Sequence, residues 1–171
     1  LIDNKLLDVH KTQLLCAKIK PSLILEKLND HLKKNNIKNF YIQKDKNKFH
    51  NAYSYQTDNK TKIHIKKIFN YYSDIEIKKN VLDYLLNYFE ININPKDFYL
   101  TKKEIKYLDS LGMIIGSHTV NHSLLSRLNF DNQKKEIFDG DEIISKIIRK
   151  KSKYFCYPYG AENSYNKLSI N

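Results

Sequence analysis

The sequence predicts an α/β fold for residues 101–171 and a mainly α-helical arrangement for residues 1–100. In the later part, two helical patterns alternate with two short runs rich in β-branched and aromatic residues, as is typical of helices packed on a sheet. The earlier part has helical periodicity without this alternation. The scarcity of chain breakers, with 4 glycines and 3 prolines, also favours long regular elements.

Two helices are predicted in residues 1–100. Pro21 suits the first turn of the earlier helix, because a proline there loses no helical hydrogen bond. The apolar residues that follow at helical spacing are Leu25, Leu28 and Leu32. Ser73 is a candidate N-cap for the later helix. The apolar face of that helix would consist of Val81, Leu82, Leu85, Leu86 and Phe89.

A capping box predicts the next helix. Thr101 stands three residues before Glu104, a spacing at which each side chain can bond to the other residue's backbone N–H. Gly112 stands where a left-handed C-cap is expected. The residues predicted to be buried between them are Ile105, Leu108 and Leu111. The run MIIGSHT, residues 113–119, follows at once and predicts a buried strand, since it is apolar and β-branched.

Another helix and another strand complete the alternation. Asn129 is a candidate N-cap of the helix. The core face of this helix would consist of Ile137, Ile144, Ile147 and Ile148. The aromatic run KYFCYPYG, residues 153–160, predicts a second strand that Pro158 and Gly160 end. Gly140 inside the predicted helix costs about 1 kcal/mol relative to alanine, and the sequence offers no reason for it.

The formal net charge of +11 raises the question of an acidic partner. A basic patch would bind nucleic acid or an acidic surface. The lysines, however, occur along most of the chain and form no single stripe, so solvated faces are the favoured interpretation and nucleic acid is not a favoured partner. A basic, non-catalytic binding module stays open as an alternative. No apolar run reaches the roughly 18 residues of a membrane span, so no transmembrane segment is expected.

Cys16 and Cys156 are predicted to be buried small apolar side chains, because they lie far apart and lack zinc-finger spacing. The first residues, LIDNKLLDVHKTQ, lack the basic leader and continuous apolar stretch of a signal peptide, which favours a cytoplasmic location. The chain begins at Leu1 and not at methionine, so we also expect the natural N-terminus to lie upstream.

His118 and His122 are candidate ligands of a metal ion. Neutral imidazole is the commonest zinc ligand in proteins. His118 stands at the end of the predicted strand, where ligand sites collect in α/β folds, and the three residues after it can turn the chain. From the spacing alone, the alternative of two partly exposed loop histidines stays open.

Two segments link these histidines to a known family. GSHTVNHSLLSRL contains the pattern His-Ser/Thr-x-x-His followed by leucine, from His118 to His122. YFCYPYG, residues 154–160, is an aromatic run that ends in Pro-Tyr-Gly. In order and separation, the two segments resemble the second and third motifs of the polysaccharide deacetylase (NodB-homology) family of carbohydrate esterases. The resemblance extends over residues 101–165.

The resemblance implies a hydrolase that uses a divalent metal, usually zinc, to remove acetyl groups from an N- or O-acetylated sugar or polysaccharide. In that family two histidines and an aspartate hold the ion, which polarises the acetyl carbonyl and lowers the pKa of a bound water to about 7. A second aspartate accepts a proton from the water, and a late histidine protonates the leaving group. The implied fold is a partial, incomplete β/α-barrel deacetylase core over residues 101–171, preceded by a mainly helical insertion over residues 1–100.

Residue by residue, the resemblance makes His118 and His122 the metal ligands. Thr119 corresponds to a hydroxyl residue that supports the metal loop. The residues that match the oxyanion and substrate side of the site are Tyr159, Tyr157 and Pro158. The first of these would donate its backbone N–H to the oxyanion, and the other two would line the groove for the sugar. Without the motif, the alternative that both tyrosines are ordinary strand aromatics stays open.

The chain departs from the family in several motifs. The first motif is an Asp-Asp pair upstream of the histidines, and no adjacent aspartates occur here. The FDG run at residues 138–140 lies after His122 on a predicted helix and is not that motif. Cys156 stands where many members have an arginine, and no histidine follows Gly160. The third metal ligand, the base aspartate and the acid histidine are therefore absent from the sequence.

These absences predict an internal piece of a longer deacetylase that is inactive as an isolated chain. The helical residues 1–100 would then be inserted between the first and second motifs. Two further alternatives stay open, namely a degenerate deacetylase homologue and a helical interaction domain with an incidental histidine pair. The sequence identifies neither the sugar nor the atom, nitrogen or oxygen, that carries the acetyl group.

Overall fold

The computed structural model describes residues 5–160 and 163–170. The chain divides into two compact units. We call residues Leu6–Ile93 the helical unit, and we call the second unit, which contains residues Asn94–Asn171, the histidine unit. Within the described residues, no helix combines the length and the apolar character that crossing a membrane requires.

Helices α1 to α5 form the helical unit. They are α1 (Asp8–Lys18), α2 (Pro21–Lys34), α3 (Gln43–Lys48), α4 (Lys60–Lys67) and α5 (Ile75–Tyr88). Helix α4 continues directly into a π-helical turn, Ile68–Tyr72, in which every residue is buried. Helices α1 and α2 each pack against both α4 and α5.

The core of the helical unit confirms the apolar stripes seen in the sequence. Leu28 and Leu32 of α2 are buried as predicted, whereas Leu25 is half-buried and Ile24 takes the remaining core position. The four buried residues of α5 belong to the predicted set: Val81, Leu82, Leu85 and Leu86. The spacing of apolar residues at about 3.6 positions therefore predicted the buried faces of both α2 and α5.

Helix α5 begins one residue later than predicted, because Asp74 and not Ser73 is its N-cap. The Asp74 carboxylate accepts the N–H of Glu76 at 3.0 Å and that of Ile77 at 3.1 Å. A carboxylate can satisfy two helix N–H groups at once and also interacts favourably with the helix dipole. Ser73 is instead buried, in an isolated antiparallel bridge with Tyr41.

The histidine unit is built around its longest helix. Its helices are α6 (Pro95–Phe98), α7 (Lys102–Ser110), α8 (Phe130–Ile148) and α9 (Lys167–Ile170). A single 3-10 turn, Leu125–Arg127, precedes α8. Helix α8 packs against both α7 and α9.

The predicted helix boundaries in this unit are confirmed. Thr101 and Glu104 form the complete capping box of α7. Asn129 caps α8 and accepts the N–H of Asn132 at 2.9 Å. Gly112 has a φ of +84°, the left-handed conformation expected after α7. The predicted burial of α7 is wrong, however, because no residue of that helix is buried and 61% of Leu111 is exposed.

The predicted α/β class, a partial β/α-barrel core, is wrong. The described residues contain no β-strand, and the segments 113–117 and 153–157 meet only in an isolated parallel bridge between Ser117 and Phe155. A barrel needs several strands bonded along their length. The start of the first segment is also exposed, by 54% at Met113 and 70% at Ile114. A β-branched, apolar run has a local preference for the extended conformation. A sheet also requires a partner strand and a covering layer, which the run itself cannot provide.

The two cysteines differ in their environments. Cys16 is buried in the helical unit as predicted, and burial raises the pKa of its thiol to about 11. The predicted burial of Cys156 is wrong, because this side chain is exposed. The run around Cys156 forms one backbone bridge and is not covered by another layer at this residue, so the thiol stays accessible.

The two thiols should therefore react differently with a thiolate-specific reagent. At about pH 8 we expect Ellman's reagent to modify Cys156 in the folded protein and to spare Cys16, because only the thiolate is nucleophilic. Cys16 should react with the same reagent at the same pH once the protein is unfolded. The variants Cys156→Ser and Cys16→Ser assign the signal. Fast modification of folded C156S at about pH 8 would contradict a buried Cys16.

Candidate functional site

Backbone hydrogen bonds of Ser117 bring the two sequence motifs together. Its N–H donates to the carbonyl oxygen of Tyr154 at 2.8 Å, and its carbonyl oxygen accepts the N–H of Cys156 at 2.9 Å. Gly116 permits this approach, because a Cβ atom there would lie 2.9 Å from the Tyr154 carbonyl oxygen. His118, the next residue after Ser117, is thereby placed beside the aromatic run.

The exposed His118 side chain is oriented by the backbone of that aromatic run. Its Nδ1 lies 2.7 Å from the carbonyl oxygen of Cys156. A carbonyl oxygen only accepts, so Nδ1 carries the hydrogen and Nε2 of the neutral ring has the lone pair. Metal-binding histidines commonly have this arrangement, in which one ring nitrogen donates to a fixed acceptor and the other binds the ion.

The half-buried His122 ring lies between His118 and Tyr159. The centroids of the two imidazole rings are 4.8 Å apart, with an interplanar angle of 78°. The Tyr159 ring is 4.6 Å from that of His122, at 85°. The structure therefore brings together both predicted ligands and the tyrosine predicted to contribute the oxyanion donor.

Three residues of this site have a left-handed backbone. The angle φ is +65° at Thr119, +55° at His122 and +68° at Tyr159. This region is disfavoured for L-residues other than glycine, and most of all for β-branched threonine. Each such residue costs on the order of 1–3 kcal/mol and persists only where its surroundings hold it. The contacts that hold residues 118–122, which we call the histidine turn, are therefore part of the site.

Glu136 of α8 binds the turn between the two histidines. Its Oε2 accepts the N–H of Val120 at 3.1 Å and that of Asn121 at 2.9 Å. Its Oε1 accepts a hydrogen bond from Nδ2 of Asn121 at 2.6 Å. Hydrogen bonds to an ionised acceptor are stronger than those between neutral groups, so this side chain links α8 firmly to the turn.

Gly140, one helical turn after Glu136, lets α8 lie directly against the same turn. A Cβ atom on Gly140 would lie 3.0 Å from Oγ of Ser117 and 3.1 Å from the carbonyl carbon of Thr119. A side chain at this position would therefore require the turn to shift by a few tenths of an ångström. This close approach explains the glycine inside the helix that the sequence left unexplained.

The other predicted site residues differ in their contacts. Pro158 is buried, and Tyr157 is half-buried with its ring stacked on Tyr165 at a centroid distance of 4.4 Å. The Tyr157 hydroxyl donates to the carbonyl oxygen of Ser169 at 2.9 Å. The Thr119 hydroxyl is buried and has no hydrogen-bond partner among the described residues. The groove role of the first two and the supporting role of Thr119 stay predictions.

The donor chemistry of the two histidines fits a metal ion, but the set is incomplete in the part of the chain that the structure describes. No group of three or more His, Cys, Asp or Glu side chains there could hold an ion. The Nε2 lone pair of His118 is not used by the bond to Cys156, and the two imidazole rings are 4.8 Å apart, which is close enough for two ligands of a tetrahedral zinc ion. The remaining ligands of such an ion would have to come from groups outside the described residues or from water.

Comparison with known proteins identifies the family. The family model described as polysaccharide deacetylase matches residues 19–171. The chain belongs to this family. The peptidoglycan-N-acetylglucosamine deacetylase of Bacillus cereus is 27% identical over 93 residues, which are 51% of this chain and 33% of that relative. The chain thus matches about a third of the relative's length, and no solved structure matches it.

The family match confirms the resemblance carried by the two motifs and extends it toward the N-terminus. Sequence reasoning nevertheless missed Glu136 and Gly140 as parts of the site. Both lie at intervals of three or four residues on the stripe of α8 that includes Ile144 and Ile147. A carboxylate on an apolar stripe indicates hydrogen-bonding partners, because a charge is not buried without them. A glycine on the same stripe indicates a close approach to another part of the backbone.

Replacing Gly140 by alanine should destabilise the histidine unit, although alanine is the better helix former. We expect overpacking against Ser117 and Thr119 to cost about 2–3 kcal/mol, the upper part of the usual range, because the Thr119 contact is to backbone and cannot rotate away. This cost exceeds the gain in helix propensity of about 1 kcal/mol. Urea unfolding followed by circular dichroism measures the difference. Lys135→Ala, at an exposed position of the same helix, is the matched control and should change stability by less than about 0.5 kcal/mol. A G140A protein as stable as the wild type would contradict the close contact.

Proposed function

We propose that the protein is part of a metal-dependent carbohydrate deacetylase, which hydrolyses acetyl groups from N- or O-acetylated sugars. The observation that carries the proposal is the orientation of His118, whose Nδ1 donates to the Cys156 carbonyl while its ring lies 4.8 Å from that of His122. Membership of the deacetylase family supports the reaction class. The paired imidazoles support a divalent metal, with zinc as the candidate.

The two imidazoles would hold the ion through ring nitrogens. When bound, a zinc ion in such a site polarises the acetyl carbonyl and lowers the pKa of water to about 7. The hydrogen bond from His118 to the Cys156 carbonyl fixes the ring and its tautomer before any ion arrives. Tyr159 packs edge-on against His122 and limits the positions that this second ring can take.

The aromatic run supports a carbohydrate as the substrate. We propose that the backbone N–H of Tyr159 stabilises the oxyanion and that Tyr157 and Pro158 line the groove for the sugar. Support comes from the contact of Tyr159 with His122 and from the anchoring of Tyr157 to Ser169. The name of the Bacillus cereus relative specifies N-acetylglucosamine in peptidoglycan, so an N-acetylated sugar is the first substrate to test.

We also propose that the isolated chain is inactive. The described residues gather no third ligand around the histidine pair, and two imidazoles without a carboxylate should bind zinc weakly. A hydrolase of this kind also needs a group that accepts the proton of the attacking water. In this proposal, other parts of a longer protein contribute the missing carboxylates.

Zinc titration of the isolated chain tests the metal site. His118→Ala and His122→Ala should each weaken zinc binding by at least about tenfold, because even partners outside the ligand shell contribute 10–100-fold to affinity. Isothermal titration calorimetry measures the dissociation constants. His50→Ala is the matched control, since His50 is also exposed with Nδ1 at 2.8 Å from a backbone carbonyl oxygen, and it should bind like the wild type. Unchanged affinity in H118A would refute the assignment.

Acetate release tests the activity of the chain. Incubated with zinc and an N-acetylglucosamine oligomer, the isolated protein should release acetate no faster than the H118A variant. An enzyme-coupled acetate assay gives the rate, and a parallel incubation with an O-acetylated sugar extends the test to esters. Wild-type release that H118A abolishes would support the metal ligands and contradict the inactivity of the isolated chain.

A further inference from the structure

The turn between the two histidines is bound by a carboxylate from a distant part of the chain. The N–H groups of the consecutive residues Val120 and Asn121 converge on one oxygen of Glu136. Consecutive N–H groups that converge in this way form an anion-binding concavity of the backbone. The side-chain amide of Asn121 bonds to the other oxygen. Both oxygens are therefore engaged, and the orientation of the carboxylate is fixed.

Helix α8 contacts the turn at both of its ends. Glu136 holds the later end through Val120 and Asn121, whereas Gly140 lies against the earlier end at Ser117 and Thr119. Four residues separate Glu136 from Gly140, so both lie on one face of α8. The turn is therefore clamped by one rigid element.

The helix itself is fixed in place close to this face. The buried Gln133 donates from Nε2 to the carbonyl oxygen of Leu128 at 2.9 Å. Its Oε1 accepts a hydrogen bond from the hydroxyl of Ser169 at 2.6 Å. These bonds oppose sliding of α8 along its axis, which would carry Glu136 out of reach of the turn.

The two histidines are held by different means. His118 is oriented by its own side-chain bond to Cys156. His122 follows directly after Asn121, so the direction of its side chain depends on the backbone that Glu136 binds. The angle φ at His122 is +55°, in a sparsely populated region that persists only where the surroundings hold it.

We propose that Glu136 is a positioning residue of the metal site, which holds His122 in register with His118; the proposal rests on the function proposed above. Glu136 is neither a metal ligand nor the proton acceptor in this proposal. Its two oxygens already accept three hydrogen bonds, and it forms no group of three candidate ligands with the histidines among the described residues.

The test compares Glu136→Gln with a matched glutamate on the same helix. Glutamine keeps the shape but has no charge and only one acceptor oxygen, so it replaces three hydrogen bonds to a carboxylate by at most two weaker neutral ones from the backbone. E136Q should therefore bind zinc about 10–100-fold more weakly than the wild type. Glu142→Gln should bind zinc like the wild type, because Glu142 is exposed and pairs with Lys146 at 2.6 Å. Asn121→Ala removes only the bond to Oε1 and should have a smaller effect than E136Q.

Amide hydrogen exchange without metal provides a readout that is independent of the ion. The amides of Val120 and Asn121 should exchange faster in E136Q than in the wild type and E142Q. Faster exchange with unchanged zinc affinity would overturn the proposal, because Glu136 would then stabilise the turn without positioning a ligand. Unchanged exchange would overturn it as well.

The outcomes for the two proposals can be told apart. If H118A leaves zinc affinity unchanged, the proposed metal function fails, and the exchange rates still report whether Glu136 holds the turn. If H118A weakens zinc binding and E136Q does not, the metal site is supported and the positioning role of Glu136 is refuted. Circular dichroism of each variant confirms folding, and N121A gives the comparison if E136Q does not fold.

Discussion

Two hydrogen bonds of one residue, Ser117, determine where the candidate site can form. They set the register between the histidine segment and the aromatic run, and a shift by one residue would turn the neighbouring side chains to the opposite side. The bond from His118 to Cys156 and the contact of His122 with Tyr159 both depend on this register. A larger residue than glycine at position 116 could not approach the partner segment so closely.

The histidine turn shows a balance between backbone strain and specific contacts. Two left-handed residues in the turn, Thr119 and His122, cost on the order of 1–3 kcal/mol each. Three hydrogen bonds to the Glu136 carboxylate contribute about 1–3 kcal/mol each, the lower value applying where water reaches them. Because the two totals are similar, the observed conformation depends on these bonds remaining intact.

Sequence reasoning succeeded where the signal is local. The capping box of Thr101, the N-cap Asn129 and the left-handed Gly112 are each specified by side chains within a few residues. The histidine and aromatic motifs also identified the family. Burial of the run from Met113 was not predictable, because it depends on whether another layer covers it. The role of Glu136 was missed because its partners are 15 and 16 residues away.

The long sequence separation of the contacts that align the histidines has a consequence for transplanting the site. A pentapeptide with the sequence HTVNH would have both imidazoles but not their alignment, since His118 is oriented by a carbonyl 38 residues away. A designer who moves this site to another scaffold must therefore also copy the aromatic segment and one face of α8. The site therefore consists of three segments, namely the histidine turn, the aromatic run and one face of α8, and the motif HTVNH is only one of them.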